Sequence, residues 1–227
     1  MISVIIPTLN AGQGLPRTLS SLWDANCGGL LREVVVSDGG SADGTGEIAE
    51  AAGCTLVTGA PGRGAQLARG ANAARGEWLL FLHADTALGP GWERAAEAFT
   101  RRDEAAGVFR LAFASDRLAA RAVAAGANLR TRFFSLPYGD QGLLISRARH
   151  DRIGGYAPLP LFEDVDLVRR IVAESGRGAL RLLPAEAVTS PERYERDGYV
   201  RRALRNQSCL LAYVRGVPPE RIAERYA

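Results

Sequence analysis

The chain contains no lysine, since all 28 of its basic residues are arginine. A protein without lysine cannot carry the phosphate-binding lysine of a P-loop, nor a lysine that forms a Schiff base with its substrate. Both kinds of site are therefore excluded as explanations of this sequence.

Cysteine and long apolar runs are also scarce. The 3 cysteines are widely spaced and form no Cys-x-x-Cys, which predicts idle or buried thiols in a reducing compartment. No apolar run approaches the length that crosses a bilayer. Residues 2–6 are apolar but lack a basic start and are ended by Pro7, so they indicate a strand rather than a secretion signal. We expect a soluble, cytoplasmic protein.

Positive and negative charges are nearly balanced, with a formal net charge of +3. A charge this small and dispersed gives no support for a nucleic-acid partner. The chain has 227 residues, of which 47% are apolar and 23% charged, as is ordinary for a globular protein with a substantial core. We expect one α/β domain over residues 1–227.

Short apolar runs alternate with helical patterns through the first 85 residues. The runs cover residues 3–7, 33–37, 54–58 and 78–83, and the helical patterns cover residues 15–23, 45–52 and 65–74. This alternation predicts right-handed crossovers and a mainly parallel sheet with helices packed on it. In such a sheet, ligands bind beyond the carboxyl ends of the strands.

The second half is less regular. Its patterns predict strands at 107–113, 142–146 and 180–183, and helices at 118–134 and 163–174.

A last helix is predicted over residues 199–214. Val200, Leu204, Leu211 and Val214 recur there at helical spacing, with arginines elsewhere on the helix. We expect the apolar side of this helix to belong to the core. The alternative is a platform for acidic lipid, through weak contact with a membrane surface, or for a phosphorylated acceptor.

Residues 76–86, Gly-Glu-Trp-Leu-Leu-Phe-Leu-His-Ala-Asp-Thr, deliver His83 and Asp85 at the end of an apolar strand. Because alternate residues of a strand share a face, the imidazole and the carboxylate are predicted to occupy one small space. Asp85 is the stronger candidate ligand for Mg²⁺ or Mn²⁺. His83 suits Mn²⁺ but is a poor ligand for Mg²⁺, so packing or a supporting hydrogen bond explains it equally well.

Two earlier loops also follow strands. Pro7, Thr8 and Asn10 offer hydrogen-bonding groups at the mouth of the first strand. After the second strand, Gly39 lets the backbone approach a ligand, and Asp38 can accept a hydrogen bond from a base N–H. Ordinary turns and helix caps are the alternative for both loops.

A third loop, Gly-Arg-Gly-Ala-Gln at 62–66, opens a helix whose free amides and dipole suit an anion. Arg63 can bind a phosphate there. The dinucleotide fingerprint is not met, because Leu67 stands where its third glycine belongs and the loop follows the third strand. A Rossmann dehydrogenase is therefore disfavoured, and a surface helix after a permissive turn is the alternative.

Carboxylates in the second half are candidates for proton transfer. Glu163 and Asp164 open an amphipathic helix, and Asp140 lies in Tyr-Gly-Asp-Gln-Gly at 138–142. If that helix start points into the site, one carboxylate can take the proton of an attacking hydroxyl, and we assign this role to Asp164. Asp140 is the second choice, or a group that binds the acceptor. Otherwise the acidic residues only complement the helix dipole.

Together these segments resemble the family 2 glycosyltransferases of the GT-A fold, over nearly the whole chain. The resemblance rests on Ile-Pro-Thr-Leu-Asn at 6–10, Asp-Gly-Gly-Ser-Ala-Asp-Gly-Thr at 38–45, Gly-Arg-Gly-Ala-Gln at 62–66, Leu-His-Ala-Asp at 82–85 and Glu-Asp at 163–164. Within the family, the chain is similar to a small bacterial subgroup with Leu-His-Ala-Asp-Thr and Tyr-Gly-Asp-Gln-Gly signatures, labelled by association with radical-SAM or arsenosugar pathways.

The resemblance implies a Rossmann-like three-layer α/β/α fold with a mixed, mainly parallel sheet. It implies a nucleotide-binding half at about 1–86 and an acceptor half at about 87–227. The donor would be a nucleoside-diphosphate sugar, in particular a UDP-sugar. The residues implied to border it are Pro7, Thr8, Asn10, Asp38, Gly39, Arg63, Gln66 and Ala84.

The resemblance further implies that Asp85, with His83, holds Mn²⁺ or Mg²⁺ and that Asp164 is the catalytic base, with Glu163 and Asp140 beside it. The family's usual Asp-x-Asp has become His83-x-Asp85, which leaves the affinity for metal and its identity open. The implied reaction is a one-step, inverting transfer, in which an acceptor hydroxyl attacks the anomeric carbon as the nucleoside diphosphate leaves on the opposite side.

The Gln-x-x-Arg-Trp of processive polysaccharide synthases does not occur in the sequence, so a single transfer is predicted rather than polymerisation. Two alternatives stay open. One is a sugar nucleotidyltransferase, although no basic residue precedes Arg17 after the first strand. The other is a sugar-nucleotide-binding subunit that has lost catalysis, which the histidine at position 83 favours and the retained Glu163, Asp164 and Asp140 oppose.

Overall fold

The computed structural model describes residues 1–101 and 105–226 and contains eight strands in one sheet. The strands are β1 Ile2–Thr8, β2 Leu31–Asp38, β3 Thr55–Thr58, β4 Trp78–Phe81, β5 Thr86–Leu88, β6 Ala106–Phe113, β7 Leu143–Ser146 and β8 Leu180–Thr189. Their order across the sheet is β3, β2, β1, β4, β7, β6, β8, β5.

Helices connect most of the strands. They are α1 Leu15–Ser20, α2 Trp23–Cys27, α3 Thr45–Ala51, α4 Arg63–Ala73, α5 Trp92–Thr100, α6 Leu118–Phe134, α7 Arg147–Arg152, α8 Glu163–Ser175, α9 Glu192–Asp197, α10 Tyr199–Val214 and α11 Pro219–Tyr226. One 3-10 turn, Gly139–Gln141, precedes β7, and another, Arg177–Ala179, precedes β8.

The sheet is mixed and mainly parallel, as predicted. Strands β1 to β4 run parallel to one another, while β7 is antiparallel to its neighbours β4 and β6. Strand β8 is parallel to β6, and β5 closes the other edge in the antiparallel direction. Six strands therefore share one direction, and their carboxyl ends meet along one edge of the sheet.

The core lies on both faces of the sheet, because side chains alternate along each strand. Val4 and Ile6 of β1 belong to one cluster, which also contains Trp92 of α5, whereas Ile5 belongs to a second cluster with Leu67 of α4 and Ile171 of α8. Helices α1 and α3 add to the first cluster. The predicted three-layer arrangement is confirmed.

The helix predicted over residues 15–23 is wrong in one respect, since it is divided into α1 and α2. Helix α1 ends at Ser20, because the next residue, Ser21, hydrogen-bonds to α5 and β5 instead. The Ser21 carbonyl accepts from Trp92 Nε1 at 3.0 Å, and Ser21 Oγ accepts from Leu88 N at 3.1 Å. Strand β5 and helix α5 themselves were not predicted from the sequence.

The strand predicted over residues 180–183 was too short. The next residue, Pro184, lacks the N–H that a sheet ladder uses. In the structure, β8 continues through Pro184 because the pairing with β6 shifts register there: Val108 faces Leu182, and Arg110 faces Glu186. The continuation carries Thr189 to the edge of the sheet where the site lies.

The prediction that the apolar side of the last helix is core was also wrong. Val200, Leu204, Leu211 and Val214 of α10 are exposed, while Tyr199, Arg202 and Leu210 face the protein. Amphipathic periodicity identifies two sides of a helix, but the packing partners decide which side is covered. No helix in the described ranges combines the length and apolar content that a transmembrane span requires.

We expect Gly70→Ala to destabilise the protein, because a Cβ at Gly70 of α4 would lie 2.5 Å from Ile5 Cγ2 in β1. The overpacking should cost about 1–3 kcal/mol in the free energy of unfolding. The control is Gly126→Ala in α6, where a Cβ meets nothing within 4 Å. There the better helix propensity of alanine should stabilise by about 0.5–1 kcal/mol. Urea denaturation measures both, and equal effects would contradict the close packing of α4 on β1.

Candidate active site

An open cleft of about 880 Å³ lies at the carboxyl ends of the parallel strands. The loop after β1, the start of α4, the segment after β4 and the residues after β8 form its walls. Of the residues predicted to bind donor or metal, those that line the cleft are Pro7, Thr8, Asn10, Arg63, Gln66, His83, Ala84 and Asp85. The topology therefore brings three loops that are distant in sequence to one place.

Asp38 organises its own loop. Its Oδ1 accepts hydrogen bonds from Thr8 Oγ1 at 2.8 Å and Ser41 Oγ at 2.5 Å, and its Oδ2 accepts from the backbone amides of Gly40 and Ser41. Burial acts to raise the pKa of Asp38, but the hydrogen bonds from Ser41, Thr8 and Gly40 outweigh it and lower the pKa. The carboxylate is 5% exposed, behind the wall of the cleft.

Gln66 joins the ends of β1 and β2 to the start of α4. Its Nε2 donates to the carbonyl of Thr8 at 2.7 Å and to that of Ser37 at 3.0 Å, while its Oε1 accepts from Gly62 N at 3.2 Å. All three bonds use backbone groups at the ends of β1 and β2 or just before α4, so the glutamine fixes the edge of the cleft.

The loops after β1 and β2 are tied to each other. Asn10 adopts a left-handed backbone conformation with φ of 51°, which asparagine tolerates better than most residues. Its amide donates to Ser41 Oγ at 2.8 Å, and its Oδ1 accepts from Ala42 N at 3.0 Å. Gly39, the other predicted residue of the second loop, donates its amide to the carbonyl of Thr8 at 2.9 Å.

His83 and Asp85 lie in a turn, and not on one face of a strand as the sequence predicted. Strand β4 ends at Phe81, and Thr86 N donates to the carbonyl of His83 at 3.2 Å, which closes the turn. Both side chains nevertheless line the cleft. Asp85 Oδ1 accepts from Thr86 Oγ1 at 3.2 Å, which holds the carboxylate at the turn.

The imidazole of His83 is neutral at physiological pH. Loss of contact with water lowers its pKa to about 4, helped by the charge of Arg63 and opposed by the carboxylates of Asp85 and Asp164. The ring packs against Gly139, where a Cβ would lie 2.6 Å from Nε2. Glycine at position 139 is therefore needed for the histidine to occupy this place.

Asp85 and His83 could hold a divalent cation in this part of the cleft, with the protein supplying only part of its coordination. The carboxylate of Asp85 and the unprotonated nitrogen of His83 are suitable donors for Mn²⁺. In the part of the chain that the structure describes, no group of three or more His, Cys, Asp or Glu side chains forms a complete metal cluster. Oxygens of a bound ligand would have to supply the remaining coordination.

Arg63 and Glu163 connect the first turns of α4 and α8. Arg63 Nε lies 2.5 Å from Glu163 Oε1, and Glu163 is 1% exposed. Burial raises the pKa of Glu163 to about 7, although the charge of Arg63 acts in the opposite direction. Glu163 is therefore buried in contact with Arg63 and does not line the cleft, whereas Arg63 does.

Asp164 faces a smaller hollow of about 130 Å³, which it shares with His83, Asp85 and Asp140. Its Oδ2 accepts a 2.5 Å hydrogen bond from Gly139 N. The residue before α8, Phe162, has a left-handed φ of 64° and stacks on Tyr213 with ring centroids 4.8 Å apart. This strained conformation turns the first residues of α8 towards the hollow.

Asp140 lies in the 3-10 turn beside Asp164. Burial raises the pKa of Asp140 to about 6, with Arg130 opposing the shift and the charges of Asp164 and Asp85 adding to it. Its Oδ1 is buried and has no hydrogen-bond partner within the described residues. A buried acceptor of this kind is suited to a ligand that donates a hydrogen bond.

Sequence reasoning missed the side of the hollow that is formed by the ends of β6 and β8 and by helices α9 and α10. The residues concerned are Phe113, Thr189, Ser190, Arg193, Tyr194, Arg202, Asn206 and Cys209. The alternation in Ala-Glu-Ala-Val-Thr at 185–189 is a strand signal that could have revealed the continuation of β8. No local signal indicates that α9 and α10 close over the hollow.

The fold and the cleft define a class: α/β proteins with an open cleft at the carboxyl ends of parallel strands. The model of the family described as Glycosyl transferase family 2 matches residues 3–159, and the chain belongs to this family. It has the GT-A fold that the sequence predicted.

A relative known from its sequence is a PGL/p-HBAD biosynthesis glycosyltransferase of Mycobacterium bovis (strain BCG / Pasteur 1173P2). It is 39% identical over 102 residues, which cover 39% of this chain and 36% of the relative. The chain thus matches little more than a third of that protein's length.

Solved structures share the fold. Glucosyl-3-phosphoglycerate synthase from Mycobacterium tuberculosis, in complex with Mn²⁺, UDP and glucosyl-3-phosphoglycerate, superposes with a TM-score of 0.63 at 22% identity, over 83% of this chain and 70% of that one. In its complex with Mn²⁺, UDP and phosphoglyceric acid, the TM-score is 0.64 at 21% identity, over 96% of this chain and 79% of that one.

We expect Arg63→Met to destabilise the protein by about 2–3 kcal/mol, because it leaves the buried Glu163 without its ion-pair partner. The double variant Arg63→Met with Glu163→Gln should recover more than half of the loss, since no buried charge remains. Urea denaturation at pH 8, above the pKa of about 7 that Glu163 has beside Arg63, measures the coupling between the two sites. Additive effects of the two substitutions would contradict a stabilising pair.

Proposed function

We propose that this protein transfers a sugar from a nucleoside-diphosphate sugar, a UDP-sugar, to a hydroxyl group of an acceptor in one inverting step. The observation that carries the proposal is that Asp85 and Asp164 line the same hollow, directly beside a cleft with phosphate-binding groups. One carboxylate is thus available on the side of the leaving group and another on the side of the acceptor.

The donor occupies the larger cleft in this proposal. The first turn of α4 offers backbone amides and Arg63 to the diphosphate, and the loops after β1 and β2 border the nucleoside. Asp38 contacts the base in this proposal. Because its carboxylate lies behind Thr8, one of its present hydrogen bonds would have to be replaced by a hydrogen bond from the base. The complexes of glucosyl-3-phosphoglycerate synthase with UDP and either Mn²⁺ or Mg²⁺ support a uracil nucleotide and a divalent cation.

Asp85 and His83 are the residues that would hold the cation. When bound, a divalent cation neutralises negative charge on the diphosphate. The neutral state of His83 is a precondition, because an imidazolium has no lone pair to donate. Thr86 keeps the Asp85 carboxylate at the end of the turn.

Asp164 removes the proton of the acceptor hydroxyl. The acceptor oxygen forms a bond to the anomeric carbon, the bond from that carbon to the diphosphate oxygen breaks, and the hydroxyl proton passes to Asp164. Gly139 N keeps one carboxylate oxygen in place for this step. Asp140, whose Oδ1 is buried in the same region, accepts a hydrogen bond from the acceptor.

Two further parts of the interpretation remain proposals. The chain is one catalytic domain whose first 86 residues bind the donor, and it belongs to the subgroup with the Leu-His-Ala-Asp-Thr and Tyr-Gly-Asp-Gln-Gly signatures. A subunit that only binds sugar nucleotides is the second candidate, which the missing first carboxylate at position 83 favours. Slow hydrolysis of a UDP-sugar without acceptor separates the two, because a binding subunit releases no UDP.

We expect Asp164→Asn to lower the turnover of UDP-sugar hydrolysis by a factor of about 10²–10⁴, because the amide cannot take up the proton. The control is Asp166→Asn on the same helix, whose carboxylate pairs with Arg170 at 2.6 Å and lies outside the hollow. This variant should keep turnover within about twofold. Enzyme-coupled detection of released UDP measures both, and near-normal turnover of Asp164→Asn would remove Asp164 from the role of base.

We expect UDP with Mn²⁺ to raise the melting temperature by roughly 5–10 °C at 100-fold excess over the dissociation constant. In the wild-type protein, EDTA should abolish the part of this shift that depends on the cation. Asp85→Ala should lack that part of the shift, because the carboxylate that holds the cation is gone. Asp164→Asn should keep the whole shift. A cation-dependent shift of normal size in Asp85→Ala would show that the ion is held elsewhere.

A further inference from the structure

Helices α6 and α10 lie on the outside of the second half and carry basic but no acidic residues. Residues 117–137 contain four arginines and no Asp or Glu, and residues 198–219 likewise contain four arginines and no Asp or Glu. The whole chain has 25 acidic residues among 227. Arg202 is buried and pairs with Asp197, so the exposed positive charge of these segments lies on the other arginines, among them Arg132, Arg201 and Arg215.

Each of these helices exposes an apolar stripe. On α6, Leu118, Leu129 and Phe133 are between 54% and 80% exposed, and the exposed Ala122 and Ala125 fill the turns between them. On α10, the exposed residues Val200, Leu204, Leu211 and Val214 continue at the spacing of successive helical turns. Large apolar side chains in water at this density mark an interaction surface rather than ordinary surface variation.

The two helices are in contact with each other. Near their first residues, Tyr199 Oη lies 3.4 Å from Ser115 Oγ. Near their last residues, Leu136 packs in one cluster with Cys209 and Tyr213. The stripes therefore belong to neighbouring helices, and we call the surface formed by the exposed residues of α6 and α10 the α6/α10 face.

We propose that the α6/α10 face docks on an anionic lipid bilayer. An amphipathic helix that presents Phe and Leu beside arginines lies in the membrane interface, where the apolar side chains enter the acyl boundary and the guanidinium groups meet lipid phosphates. Arg132, which lies 5.9 Å from the ring of Phe133, and Arg201 are placed for such contacts. Long arginine side chains can extend from an apolar surface to the headgroups.

Charge complementarity favours the bilayer over a second copy of this chain. A two-fold contact would place this face against itself, so that arginines of one copy meet arginines of the other without carboxylates between them. At one end of the face, Asp116 and Glu195 pair with Arg121 and Arg117 at 3.6 Å. The arginines towards the other end, Arg132 and Arg215, are the ones most suited to an anionic surface.

Docking in this way would place the bilayer next to the hollow described above. Helix α10 lies between the two, because Arg202, Asn206 and Cys209 line the hollow while Leu204 and Leu211 are exposed. The proposal does not depend on the reaction, since it rests on the exposed side of the helices.

Vesicle flotation with the full chain tests the proposal. We expect the protein to float with vesicles of phosphatidylcholine and phosphatidylglycerol at 7:3, to float at least tenfold less with pure phosphatidylcholine, and to be released at high salt. The triple variant Leu129→Ser, Phe133→Ser and Leu204→Ser should reduce binding at least tenfold. Arg132→Gln with Arg201→Gln should abolish the preference for anionic lipid.

Trp23→Ser is the matched control, since it removes an exposed aromatic side chain from α2 and should leave binding unchanged. All substituted side chains are exposed, so the variants should keep the wild-type melting temperature. Equal binding to both kinds of vesicle, or no binding, would overturn the proposal. Light scattering that shows a dimer, lost in the triple variant, would assign the face to a second copy instead.

Discussion

The ion pair between Arg63 and Glu163 is the contact on which the site depends, because it fastens the first turn of α8 to the first turn of α4. Glu163 and Asp164 are consecutive, so the buried pair also fixes Asp164 beside Gly139. The two helix starts approach closely: a Cβ at Gly64 would overlap the carbonyl of Ala157. Only glycine at that position allows the segment before α8 to rest on α4.

The cleft at the ends of β1 to β4 could be predicted from the sequence because its signals are local. Strands β1 to β4 are short apolar runs, each followed by a glycine-rich or polar loop, and parallel order brings those loops to one edge. The prediction for His83 and Asp85 reached the correct place for an incorrect reason, since a turn and not strand alternation joins them. The loop after a strand could be located, but not its conformation.

The part of the hollow formed by β8, α9 and α10 could not be predicted, because distant packing decides it. Strand β8 passes through Pro184 only because a register shift against β6 absorbs the missing N–H. Helix α10 buries Tyr199, Arg202 and Leu210 and leaves its more apolar stripe outside, which no periodicity analysis of the helix alone can foresee. The side of an amphipathic helix that faces the protein is set by the surface already present, here the cluster around Leu161 and Phe162.

Histidine at position 83 in place of a carboxylate changes the charge balance of the hollow. Asp85, Asp140 and Asp164 already line it, and the charges of Asp85 and Asp164 help to raise the pKa of Asp140 to about 6. A carboxylate at position 83 would add a fourth negative charge beside Gly139 and raise that pKa further. The neutral imidazole adds no such repulsion to the hollow.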